Sequence, residues 1–212
     1  MRRRTVKKQP GKEVNDMKHI AALKQQLAEL GITLRCFDTA RQAADYLDGA
    51  IDGVSVGFGG SVTVQQMELY PRLSGHNRCV WHWEGGDLGD AANTQVYISS
   101  VNAIARTGEL INIDGNCNRV ASTLYGHQRV YLVAGVNKLA EDYDAALWRA
   151  RNIAAPKNAQ RLNRSTPCAA KGDRCYDCKS PDRICRALTV LWGKPMGVQE
   201  MELILINEEL GM

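Results

Sequence analysis

The sequence predicts an α/β fold, a mostly parallel sheet covered by helices. Three observations predict it. Compact apolar segments such as "GVSVGF" and "RVYLVAG" alternate with segments of helical period along most of the chain. No internal repeat or low-complexity linker interrupts that alternation. The 212 residues, 44% apolar and 24% charged, suffice for one well-filled core.

The elements follow in order. From Asp16 to Leu30 the apolar residues Ile20, Leu23, Leu27 and Leu30 share one helical face, and Gly31 ends the helix. "ITLRCF" is a short strand. "TARQAADYLDG" is a helix with Thr39 as N-cap and Gly49 at its end. "GVSVGF" runs into the glycine turn "GFGGS", then a helix from about Thr63 to Leu73. "RCVWHWE" is a strand, and residues 85–93 are irregular or a short helix. "TQVYISSVNAI" is one long strand, and "GELINIDG" a shorter one after the "RTG" turn. "NRVASTLYG" is a short helix, "RVYLVAG" a strand, and Asp142 to Ala154 a helix running toward Pro156. "RALTVLW" and "EMELILIN" read as a closing strand pair. Residues 158–187 form a cysteine-rich loop of weak periodicity, and loops that long carry function or a staple.

Charge and composition bound the function. The net charge is +4, but Arg2, Arg3, Arg4, Lys7 and Lys8 crowd the start, so the remainder is close to neutral. Residues 1–15 read as a flexible basic tail attached to a single domain, 16–212. An arm touching RNA or a membrane is the alternative. With two Phe residues and no aromatic–basic interleaving, no nucleic-acid surface is expected. No apolar run approaches the ~20 residues of a membrane helix, and no hydrophobic segment follows the basic start as in a secretory signal. The expectation is a cytoplasmic protein whose seven cysteines do not form disulfides.

Three places carry candidate chemistry. At the glycine turn, Gly57, Gly59 and Gly60 allow close backbone approach, and Ser61 can cap the next helix. Unpaired N–H groups there favour a phosphate or carboxylate. The spacing matches neither a Walker loop nor G-x-G-x-x-G, and a tight turn without a ligand explains it as well. The second place is "SSVNAIARTGELINIDGNCNRVAS". Asn102, Asp114, Gly115, Asn118 and Arg119 are its candidate ligand-binding residues. Turn and cap chemistry explains one or two of them. Arg119 runs against the helix dipole, which makes sense if it faces an anion. Asp114 is the candidate general base, without a visible titrating partner. His82 reads as a packed or exposed histidine.

The third place is Cys168, Cys175, Cys178 and Cys185, spaced C-x6-C-x2-C-x6-C. Four thiolates suit tetrahedral zinc or the corners of a 4Fe–4S cluster, and free thiols are the bland reading. Structural zinc usually shows two close pairs where one C-x-x-C is present, and bacterial ferredoxin spacing is also absent, so the spacing specifies neither ion, and a redox C-x-x-C with two bystanders is a further alternative. Lys171, Arg174, Lys179, Arg183 and Arg186 would offset the negative charge of a thiolate-bound centre.

The strings "VGFGGSVT", "SSVNAI…GELINIDGNCNRVAS", "VYLVAGVNKL…NIAAPKNAQRL" and "TPCAAKGDRCYDCKSPDRIC" together resemble the lactate-utilisation (LUD) domain family, in its short members with a four-cysteine segment. The resemblance covers roughly residues 17–212. It implies a fold similar to ribose-5-phosphate isomerase, glucosamine-6-phosphate deaminase and the CoA transferases. In those, the glycine loop and the hairpin line one ligand cleft. It also implies binding of an anionic small metabolite in lactate or organic-acid redox metabolism. It tilts the cysteine centre toward a 4Fe–4S cluster over zinc, with redox proteins as partners. A non-catalytic regulatory or assembly subunit, or a CoA- or phosphosugar-directed enzyme, are the alternatives. Cys117 departs from the resemblance, standing where a small residue is expected. Glu109 is poorly placed as a transferase nucleophile.

Overall fold

The computed structural model describes residues 10–212, with side chains from 19 onward. The basic start, residues 1–9, lies outside the described residues. The first helix, α1 (Pro10–Glu29), begins earlier than its apolar pattern required. It ends at Gly31, whose φ of +76° suits glycine. Then come β1 (Thr33–Phe37), α2 (Ala40–Ala50), β2 (Ser55–Phe58), α3 (Val62–Gln66), α4 (Leu69–Leu73) and β3 (Arg78–Trp81). They are followed by α5 (Leu88–Ala92), β4 (Val96–Ser99), β5 (Ala103–Ala105), β6 (Leu110–Asp114), α6 (Asn118–Leu124) and β7 (Arg129–Gly135). The chain closes with β8 (Leu139–Ala140), α7 (Tyr143–Arg149), α8 (Ala155–Arg161), α9 (Pro167–Lys171), β9 (Ala187–Leu191) and β10 (Glu200–Ile206).

Six strands make one sheet in the order β1-β10-β7-β4-β2-β3, every pair parallel. The expected mostly parallel α/β architecture is therefore present. The period of two is visible in its packing. Along β10, Ile204 and Ile206 face one core while Met201, Leu203 and Leu205 face another. β7 repeats this, with Tyr131 and Val133 opposite Val130, Leu132 and Ala134. Helix α2 covers the first face with Ala43, Ala44 and Leu47. Its start is fixed by the Thr39–Gln42 capping box. Helix α1 covers the second face with Leu23 and Leu27. The same face is shared by a smaller sheet, β8-β5-β6-β9, through Ile104, Leu110 and Leu191. That sheet turns Ala103, Ala105 and Ile111 toward α7. No described helix is long and apolar enough to cross a membrane.

Several elements differ from the sequence pattern. The closing strands do not pair: β9 joins β6 in the small sheet, and β10 sits inside the large one between β1 and β7. Both are apolar with similar propensity, so only partner choice separates them. "TQVYISSVNAI" is two strands, β4 and β5, in different sheets, with Ser100–Asn102 turning between. The helix over Thr63–Leu73 is two short ones, because Glu68 takes a left-handed φ of +53°. The helix approaching Pro156 does not stop there. A π-helical segment, Ala150–Ala154, carries it into α8, so Pro156 lies inside a continuous helical run, directly after the π segment.

Candidate functional site

The carboxyl ends of the parallel strands converge on one cleft of about 360 Å³. Gly60, Ser61 and Thr63 follow β2, and His82 and Trp83 follow β3. Ser100 to Asn102 follow β4, Lys138 follows β7, and Gly211 and Met212 lie beyond β10. The crevice beyond the carboxyl ends is where ligands of open α/β sheets bind. Asp114, Gly115, Asn118 and Arg119 form the wall opposite the glycine turn, and Asn158, Arg161 and Arg164 a third side.

The electrostatics are one-sided. Asp114 is the single carboxylate side chain among the described lining residues, against Lys138, Arg119, Arg161 and Arg164, the last of these paired with Asp182 outside the cleft. Asp114 is also engaged. Its carboxylate accepts from the N–H groups of Cys117 and Val120 at the start of α6, and lies 3.6 Å from Arg119 Nε. Among the described residues no side-chain carboxylate pairs with Lys138. Its Nζ donates to Thr63 Oγ1 at 2.8 Å and Ser100 Oγ at 2.7 Å. Burial, helped by the nearby Arg149 and Arg119 charges, pushes the amine down to about 7. Burial also lowers the pKa of His82, whose Nδ1 is buried without a hydrogen-bond partner. Arg161 lies over the Trp83 ring, 5.1 Å from its centroid, and burial lowers its pKa too.

The four cysteines of the third candidate site line a second, smaller cavity of about 40 Å³. Helix α9 brings Cys168 there, capped by Thr166, whose hydroxyl is 3.3 Å from Cys168 Sγ. Donors point at the sulfurs. Arg183 Nε lies 3.3 Å from Cys185 Sγ, and the Asp177 N–H lies 3.4 Å from Cys175 Sγ. Arg151 reaches Cys175 at 4.0 Å. All four thiols are free, and all four cysteines line the cavity. Among the described residues no group of three or more His, Cys, Asp or Glu is set to hold a single ion. Four cysteines lining one cavity are a donor set for either a four-iron cluster or a tetrahedral zinc ion. Ile113, Ala155 and Ile184 line both cavities, so one layer of side chains separates them.

The profile of the LUD domain family matches residues 20–206. The chain belongs to the LUD domain family. Its structure is similar to that of a DUF162 family protein from Deinococcus radiodurans, with a TM-score of 0.54 and 10% identity. The match covers 90% of this chain and 97% of that one. At that identity the likeness speaks for the fold alone. No curated protein matches the chain in sequence.

In this LUD domain the glycine turn and the hairpin meet, but not every residue chosen from the sequence faces the cleft. Gly60, Ser61, Asn102, Asp114, Gly115, Asn118 and Arg119 line it. Gly57 and Gly59 do not. A Cβ on Gly57 would overlap the Ala91 carbonyl oxygen, and one on Gly59 would stand 2.6 Å from Ser99 Oγ. Those glycines serve helix and strand packing. Arg119 does not offer its guanidinium to a ligand. It donates to Ser100 O, Asn112 Oδ1, Ile113 O and Asn102 Oδ1, and so ties the β4–β5 turn to β6. A side chain at the helix start, read as facing an anion, finds protein carbonyls instead. Asp114, the sequence's general-base candidate, is held as a helix cap and as the partner of Arg119.

Lys138, Ser100, Thr63, His82, Trp83, Arg161 and Arg164 were missed as site residues. Lys138 left a signal: it is the single charged residue between Val130 and Ala140, just past an apolar strand. Arg161 and Arg164 left none, because a basic residue on a helix or loop reads as solvated.

Proposed function

We propose that this LUD domain binds a small anionic metabolite of the organic-acid class in the cleft. We further propose that its four cysteines hold a 4Fe–4S cluster that exchanges electrons with that ligand. One observation carries the reading: the cleft and the cysteine cavity share the wall of Ile113, Ala155 and Ile184. A cysteine centre one side-chain layer from a bound substrate is placed for redox work, whereas a staple needs no such proximity. When bound, the cluster would supply one-electron transfer.

The chain's own residues do the rest. Arg161 attracts the carboxylate or phosphate, while Arg164 at the rim is held by Asp182. The apolar wall keeps water from the sulfurs, and Arg151 and Arg183 offset negative charge on the thiolates. His82, held neutral by burial, and Lys138 border the ligand as proton-exchanging groups.

Anaerobic reconstitution with iron and sulfide is expected to give a brown protein absorbing near ~400 nm. Adding lactate or pyruvate should change the spectrum of the reduced cluster and raise the melting temperature. Colourless protein holding one zinc per chain would reduce the cysteine segment to a staple and overturn the redox half. No stabilisation by lactate, pyruvate, a phosphosugar or a CoA ester would overturn the anion half.

A further inference from the structure

Lys138, Ser100 and Thr63 form a cluster whose two hydroxyls the anion-binding reading leaves without a role. Their side chains come from three separate segments, after β7, after β4 and at the start of α3, yet all three line the cleft floor. Relative exposures are 4%, 6% and 1%. Lys138 Nζ sits 2.7 Å from Ser100 Oγ and 2.8 Å from Thr63 Oγ1, and the two hydroxyls are 3.5 Å apart. A hydroxyl within hydrogen-bond reach of a base, with that base oriented by a third group, is the geometric signature of an activated nucleophile. Lysine serves as the base in Ser–Lys variants.

We propose that Ser100 is a nucleophile and Lys138 its general base, oriented by Thr63, and that the pair transfers an acyl group from a small anionic ester or thioester bound in the cleft. This rests on the reading of the cleft as an organic-acid site and names its substrate class. Ser100 Oγ attacks the acyl carbon while its proton passes to Lys138 Nζ. The bond from the acyl carbon to the leaving sulfur or oxygen breaks, and Lys138 returns the proton to that atom. Lys138 then takes a proton from water, which attacks the Ser100 ester, and returns that proton to Ser100 Oγ as the ester bond breaks and the acid leaves. No oxidant or reductant enters the balance.

The surroundings favour a neutral amine. Arg149 from α7 and Arg119 from α6 disfavour the ammonium, and Asp114, the one acidic side chain facing the site, is engaged by Arg119 and the α6 amides. Burial with these charges leaves the lysine near pH 7, where a general base is most effective.

The test uses the whole chain with p-nitrophenyl acetate and acetyl coenzyme A, followed by peptide mass spectrometry. One acetyl group on the peptide carrying Ser100 is expected, formed at a rate that rises through about pH 7 with Lys138. Ser100→Ala should abolish that label, and Lys138→Met should slow acylation roughly a hundredfold or more. Thr63→Val should move the pH midpoint downward, because the protonated amine loses an acceptor, and Thr63→Ser should restore it. Labels confined to lysines, or a rate flat in pH, would overturn the proposal even if Lys138→Met fails to fold. Stabilisation by lactate or pyruvate without acyl-Ser100 sinks this proposal and spares the cleft reading. Acyl-Ser100 without stabilisation by any anion does the reverse.

Discussion

Replacing Lys138 by methionine turns the buried amine into a measurable pH dependence of stability. Lys138 is buried, has only hydroxyl partners, and titrates at about 7 against an ordinary 10.5. Below pH 7 it is protonated in both folded and unfolded chains, and the folded state bears the whole cost of burying charge. Between 7 and 10.5 the unfolded chain still binds the proton and the folded chain does not, so wild-type stability rises with pH. Above 10.5 both are neutral and the cost vanishes. At about 1.4 kcal/mol per pH unit the full gap amounts to about 5 kcal/mol. Between pH 7 and 9, where the folded amine is still completing its titration, the change is about 2 kcal/mol. Lys138→Met deletes this titration. The stability of the variant relative to wild type should therefore fall by about 2 kcal/mol from pH 7 to 9, read from urea denaturation at both pH values. Two lost hydrogen bonds, to Thr63 and Ser100, add an offset that does not vary with pH. A difference constant to within about 0.5 kcal/mol over that range would mean the amine stays charged and solvated. The reasoning about the cleft floor would then be wrong.

Other residues give simpler readouts. Arg119→Met should cost about 3–5 kcal/mol in denaturant melts, since it strands Asp114 and the carbonyls of Ser100 and Ile113. A loss under about 1 kcal/mol would show that its bonds are replaced by water. Gly57→Ala should destabilise by about 1–3 kcal/mol because the new methyl overlaps the Ala91 carbonyl, and a neutral effect would disprove that contact. Cys117 sits at φ +64° at the start of α6, so Cys117→Gly should gain roughly 0.5–1 kcal/mol net of the glycine's extra unfolded-state entropy. An unchanged melting temperature would count against strain at that position.

The last of these shows how a sequence signal becomes physical. The hairpin called for a small residue at Cys117, and the left-handed backbone there supplies the reason. Thr39 and Ser61 were readable as caps because capping is local, made by a residue and its neighbours three positions on. The parallel sheet was readable because continuous apolar strands between helices have few other solutions. The four cysteines were readable by their crowding alone, although which faces they would share with the rest of the domain was not.

What the sequence by itself determined was local and periodic: the strand–helix alternation, the glycine turn, the caps and the cysteine segment. What only the tertiary structure decided was pairing and neighbourhood. β9 and β10 look alike as strings, and long-range packing sends them to different sheets. Arg119 and Lys138 are both basic residues near motifs. Folding surrounds one with carbonyls and an aspartate, and the other with two hydroxyls and, among the described residues, no side-chain carboxylate. A side chain's chemistry depends on which acceptors and charges lie within a few ångströms, and those neighbours come from segments as far apart as residues 63, 100 and 138.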